Sequence, residues 1–229
     1  MRTFLAVACC AALAQPAFAA TDISGIKTGV SLASQRALIA KVNPKYQLTN
    51  ITDLSGKVVG LQAVVNTGGT VSDGMLVLQD STGTVWFVGR KQALAEGSRM
   101  TTDVLLKSLS EKYGTLNRAV PNTYLWQFER SGKLHLDNKP TGPCVTRQQI
   151  DYDWVGNTGI LVPRQFVASC GMMISATPLG TGDMVDSFTV TILDSKRIFD
   201  DLNGKAQDAA TQKQKALDAE KAKNNKPVL

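Results

Sequence analysis

Two helical segments whose starts lie about seventy residues apart are each followed by four runs rich in β-formers. This doubling limits the fold more than any other feature of the chain. Ser31 caps a first helix through about Val42, where Ala and Leu dominate, and Asn43-Pro44 stops it because proline cannot continue the helical ladder. Residues 46–54 and 57–65 flank the tight-turn signal Ser55-Gly56, and residues 75–79 and 84–89 flank Asp80-Ser81-Thr82-Gly83. Residues 66–70, with Gly68-Gly69 at their centre, read as a flexible loop between the two hairpins. The second helix opens at Thr101 or Thr102 and runs to Tyr113. Leu105, Leu109 and Tyr113 recur every fourth residue, Leu106 lies beside them, and Gly114 is the residue that can turn left-handed past the end. Residues 124–129 and 133–136 then flank Arg130-Ser131-Gly132, and residues 165–176 and 187–194 complete the second set.

The pattern predicts an α+β protein: two tandem units of one helix and about four antiparallel strands, at residues 20–98 and 99–194. A charged C-terminal helix or tail, residues 195–229, follows. The second unit is swollen by residues 137–164, longer than most structureless connections, and such loops are usually functional or tied down.

The first nineteen residues place the chain. Arg2 gives a positive start, residues 4–14 an apolar run, Pro16 a break, and Ala17-Phe18-Ala19 a small-x-small cleavage site. That order is the order of a secretory signal peptide, and it implies a periplasmic protein. The apolar run is shorter than the roughly 18 residues a transmembrane helix needs, and no later stretch approaches that length. Cleavage near Ala19 removes Cys9 and Cys10 and leaves Cys144 and Cys170, a pair that an oxidising compartment would join. No Cys-x-x-Cys is present, so the expected bridge is structural.

Charge excludes one class of partner. The net charge of +6 is concentrated at the end, where residues 195–229 hold eight Lys/Arg against five Asp/Glu. No aromatic follows Phe199 to stack on bases, so nucleic acid is not the expected partner. Within the tail, Ile198, Phe199 and Leu202 can dock on a core, Asn203-Gly204 weakens the helix, and residues 206–223 have Leu217 as their only large apolar side chain. Such a segment is a solvated helix, a frayed end or a partner-binding helix.

The turn Ile26-Lys27-Thr28-Gly29-Val30-Ser31, leading into an Ala/Leu helix, resembles that of the small outer-membrane assembly lipoproteins. The doubled helix-plus-sheet layout resembles the β-lactamase inhibitor protein architecture. The resemblance implies a binding scaffold and names no target. The lipidated cysteine of the lipoproteins has no counterpart here, and the long loop and charged tail are additions.

Candidate chemistry is sparse. Asp151 and Asp153 stand two apart in the long loop beside Tyr152 and Trp154, where two carboxylates could act on a sugar or hold calcium. His135, the single histidine, alternates with Leu134 and Leu136 and is expected to face solvent; no Gly-x-Ser-x-Gly accompanies it. Gly180-Thr181-Gly182 reads as a turn. Trp86 and Phe87 are adjacent in a strand, which predicts one in the core and one outside. Tyr124, Trp126 and Phe128 share a strand face, either in the core or as an open recognition surface together with Tyr152 and Trp154.

No metal site and no cofactor is expected. These readings favour an exported, non-catalytic binding protein of the cell envelope with a protein or envelope partner. The alternatives are a hydrolase or carbohydrate-active enzyme built on Asp151 and Asp153, and an assembly protein acting through its C-terminal helix.

Overall fold

The computed structural model describes residues 21–136, 142–144 and 166–223. A short hairpin of β1 (Asp22–Ile23) and β2 (Ile26–Lys27) precedes α1 (Leu32–Val42). A four-strand meander follows: β3 (Gln47–Thr52), β4 (Val58–Thr67), β5 (Thr70–Gln79) and β6 (Val85–Ala93). The two-residue strand β7 (Met100–Thr101) leads into α2 (Thr102–Tyr113). A second meander is made of β8 (Arg118–Val120), β9 (Thr123–Glu129), β10 (Cys170–Thr181) and β11 (Met184–Leu193), and α3 (Ser195–Ala222) ends the described chain. The fold is therefore α+β, with helix-then-four-strands stated twice.

The two meanders do not form separate sheets. Strand order is β3-β4-β5-β6-β11-β10-β9-β8, so the last strands of the two units pair antiparallel, with Val190 opposite Arg90 and Ile192 opposite Val88. β7 continues the place of β6 beside Met184 and Val185 of β11.

Local chemistry explains the elements. Ser31 and Thr101 accept hydrogen bonds from the backbones of Ser34 and Val104, capping α1 and α2. The expected stripe on α2 is buried at Leu105 and Tyr113, with Leu106 and Leu109 half-buried against the same core. The residues expected as a flexible loop between the first hairpins are instead a tight turn. β4 runs to Thr67, β5 starts at Thr70, and Gly68 and Gly69 take φ of 59° and 83°, which a two-residue hairpin turn demands. β10 starts at Cys170, later than the sequence suggests, and continues to Thr181. Pro178 is accommodated because β10 by then has passed Ala176, its last pair with β9. Residues 133–136 give only a bridge at Leu134 opposite Phe128.

Two apolar layers cover the sheet. On one face lie α1, α2 and the β1–β2 hairpin, over Leu61, Met75, Val77, Val88, Trp126, Ile174 and Ile192. On the other, Ile198 of α3, Phe166 and Val167 pack over Leu76, Leu78, Leu125, Met173 and Leu193. Trp86 and Phe87 both belong to this second layer, contrary to the alternation expected of adjacent strand residues. Leu78 pairs with Phe87 and Gln79 with Val85, so Trp86 is the extra residue of a bulge and leaves the strict alternation. The two rings, 3% and 1% exposed, sit with centroids 6.0 Å apart.

Cys144 and Cys170 are joined and fully enclosed in that second layer. Gln127 Nε2 donates to the Cys144 carbonyl (2.9 Å) and Ser169 Oγ to that of Pro143 (2.7 Å), so the bridge region is stitched to the sheet by hydrogen bonds as well. Closing a loop of 26 residues contributes about 3.5 kcal/mol in the chain-entropy account. Replacing both cysteines by alanine is expected to lower unfolding stability by roughly that amount in urea titrations, with little change in the far-ultraviolet circular dichroism of the folded form.

Candidate functional site

Hairpin geometry decides which end of the sheet carries side chains capable of recognition. In a meander, alternate turns fall on the same end, so the β3–β4 and β5–β6 turns share one edge of the molecule. The seam places the turn after β9 and the start of α3 there too. Three turns at this end repeat one chemistry, an acidic residue followed two and three positions on by Ser or Thr and Gly: Asp53-Leu54-Ser55-Gly56, Asp80-Ser81-Thr82-Gly83 and Glu129-Arg130-Ser131-Gly132. Asp53 Oδ1 accepts from the Ser55 and Lys57 amides (2.9 and 3.0 Å), and Asp80 Oδ1 from those of Thr82 and Thr84 (2.9 and 3.0 Å). Each aspartate thus closes its own turn, and the hydrogen bond from Ser55 Oγ holds the exposed Asp53 carboxyl below the usual carboxylate range.

α3 rises from this end and is fastened largely by charge. Asp194 Oδ1 accepts from the Arg197 amide (3.0 Å) and caps the helix; burial pushes this carboxyl up, against the pull of Arg197. Arg197 also reaches Asp80 (3.5 Å), Asp200 is bound by Lys196 (2.9 Å) and by Arg130, and Asp201 is bound by Lys205 (2.8 Å) and by Ser81. Apolar attachment is slight: Ile198 is buried, and Phe199 lies under the Arg130 guanidinium.

Between α3 and the first two hairpins runs an open groove of about 260 Å3. Its floor is Val59, Leu78, Trp86 and Ile198, and its rim includes Asp53, Lys57, Asp201 and Lys205. An apolar floor inside a rim of mixed charge can hold a side chain or helix of a partner. The Ser81 hydroxyl donates to Asp201 there with no histidine in the lining, and no group of three His, Cys, Asp or Glu able to hold a metal occurs among the described residues. The sequence signals turns at these places but is silent on their coming together. Counting strands places the β3–β4 and β5–β6 turns at one end, because alternate turns of a meander share an end, but the turn after β9 and the start of α3 join them only through the β6–β11 pairing.

The residues singled out from sequence fall elsewhere. Trp126 and Phe128 are 0% and 3% exposed under α2, with Trp126 Nε1 donating to the Gly114 carbonyl (2.7 Å), and Tyr124 is half-buried beside them. They are core, and the open aromatic surface is corrected accordingly: α2 covers that strand face. His135 does not face solvent; its side chain is 16% exposed, with Nδ1 3.6 Å from Glu129, and its amide donates to the Gln127 carbonyl (2.9 Å). Asp151, Tyr152, Asp153 and Trp154 lie outside the described residues. Gly180 and Thr181 end β10, and Gly182 is in the turn to β11.

One buried polar cluster was not foreseen. Asp73 on β5 receives Arg90 Nε and Nη2 of β6 (3.1 and 2.9 Å), the Tyr46 hydroxyl (2.7 Å) and Asn43 Nδ2 (3.0 Å), while Arg90 Nη1 donates to Ser24 Oγ (2.6 Å). It joins the end of α1, the start of β3 and the β1–β2 hairpin. All of its donors are satisfied by protein, which marks it as structural.

Burial would raise the Asp73 carboxyl, but Arg90, Asn43 and Tyr46 outweigh it and hold it below the usual range. Burial and the Asp73 carboxylate push the Tyr46 hydroxyl up.

Comparison of the chain with protein-family models, curated proteins and solved structures gave no match.

Because the folded Asp73 value is depressed, its contribution is complete above the unfolded value near 3.9 and is lost as pH falls through the folded one. Asp73→Asn is expected to cost about 3 kcal/mol at pH 7 by leaving Arg90 uncompensated. It should also flatten the acid limb of stability below about pH 4, as read by thermal unfolding across pH.

Proposed function

We propose that this chain is an exported, non-catalytic interaction protein of the bacterial cell envelope. Its contact surface, on this reading, is the turn-bearing end of the sheet together with α3. The leader-like order of residues 1–19 and a buried disulfide support export. No helix among the described residues is long and apolar enough to cross a membrane.

The observation that carries the proposal is α3 itself. The helix has 28 residues, yet Ser195 and Ile198 are its only buried positions, and from Leu202 to Lys223 every residue is exposed. A helix normally owes its stability to packing of one face. Among the described residues the outer part is supported by its own contacts, such as Gln214 to Asp218 (2.9 Å) and Thr211 to the Gln207 carbonyl (2.9 Å). Leu217 remains 41% exposed. A long helix that buries only its root, beside a groove with an apolar floor, is arranged to meet a partner.

Removal of residues 206–229 tests this directly. The shortened protein is expected to keep its melting temperature within about 2 °C, because residues 206–223 bury nothing in the core. It should lose the partner that the full chain retains from envelope extract. Equal recovery of that partner by both forms would overturn the assignment to α3.

A further inference from the structure

The two edges of the sheet are unequal. β8 is three residues long and carries Arg118, a charge that discourages pairing at an edge. β3 is six residues long, Gln47-Leu48-Thr49-Asn50-Ile51-Thr52, with no charge and no proline, and among the described residues it pairs only with β4. Four of its six residues are exposed. The bulge on this hairpin belongs to β4, where Val59 is the extra residue, so β3 keeps a regular pleat and an open row of backbone donors and acceptors. The strand itself carries no charge, proline or bulge that would blunt the edge.

Charge at the strand's ends selects the partner. Lys45 precedes β3 and Asp53 follows it; both are exposed, and Lys45 has no salt bridge among the described residues. Asp53 uses Oδ1 for its own turn, and among the described residues no hydrogen bond or salt bridge occupies Oδ2. A strand that is positive at its start, neutral along its length and negative at its end is complementary to itself run backwards.

We propose that β3 is a self-association edge, which pairs antiparallel with β3 of a second copy of this chain about a two-fold axis at Thr49. In that register Gln47 of one copy lies opposite Ile51 of the other on the same face, and Lys45 of each copy flanks Asp53 of its mate. Shifting the strand by two residues in either direction keeps each side chain on its face but separates the charges. Parallel pairing would set like charge against like. Among the described residues two other charges lie near the strand: Arg36 donates to Asn50 Oδ1 (2.8 Å) one residue off the axis, and Lys57, beside Asp53 in the turn, donates to the Ser81 carbonyl (3.2 Å), so both are already engaged. The contact makes one continuous sheet of the two copies and is independent of the role given to α3.

Sedimentation of the protein purified from a bacterial periplasm, from about 10 µM to about 500 µM, tests the proposal by mass action. A concentration-dependent dimer is expected. Lys45→Glu should weaken it about tenfold, since two attractive contacts become repulsive, and adding Asp53→Lys should restore it. As a check that does not depend on electrostatics, Thr49→Cys places two thiols opposite each other at the axis. It should form an intermolecular disulfide under mild oxidation, whereas Leu54→Cys at the exposed turn should not. A monomer at every concentration would overturn the proposal, as would a dimer that neither responds to Lys45→Glu nor cross-links through Thr49→Cys. Cross-linking with no charge response would overturn this register.

Discussion

Everything in this molecule depends on one pairing, that of β6 with β11. Each meander alone would have two open edges and too little apolar area to cover its faces. Joining the units through their last strands removes one edge from each and produces a single sheet. The antiparallel sense of the seam relates the two units by an approximate half-turn, and that operation puts α1 and α2 over the same face. The β1–β2 hairpin then lies across the seam. Lys112 of α2 bonds Asp22 (2.9 Å), the Tyr113 hydroxyl donates to the Asp22 carbonyl (2.9 Å), and Arg90 of β6 reaches Ser24. Burial would raise the Asp22 carboxyl, but Lys112 and the Gly25 amide bring it below its usual range, so this clamp is ionised at neutral pH.

The division of labour between the faces follows from the same pairing. The helix-covered face contains the Asp73 cluster, which fixes the first unit's helix, edge strand and hairpin at a single point. The opposite face contains the disulfide and the root of α3, and its polar fastenings gather at the sheet's turn-bearing end. Charge is therefore exposed at the turn-bearing end and enclosed on the faces.

Much of this was legible in the sequence, because it rests on local rules. Caps at Ser31 and Thr101, the stop at Asn43-Pro44, the Leu105–Tyr113 stripe and the Cys144–Cys170 pair each depend on a few neighbouring residues. What escaped depends on distant partners. The seam cannot be read from β6 or β11 alone, since any antiparallel pair of suitable length would look the same. The bulge at Trp86 is specified by Gln79 and Leu78 across the ladder rather than by its own strand. His135 is enclosed beside Glu129 and bonded to Gln127, residues of the preceding strand, which alternation of its neighbours conceals. The helical run past Asn203-Gly204 shows that one glycine's cost, near 1 kcal/mol, is too small to end a helix already nucleated and fastened at its root.

The junction between β11 and α3 has a mechanical consequence. Leu193 ends the strand, Asp194 is the cap and Ser195 begins the helix, with no linker to absorb rotation. At about 1.5 Å per residue, 28 residues make a rigid arm roughly 42 Å long. A load on its tip acts as a torque on β11, the strand that holds the two halves together. Tension on a partner bound far from the body would thus be felt first at the seam.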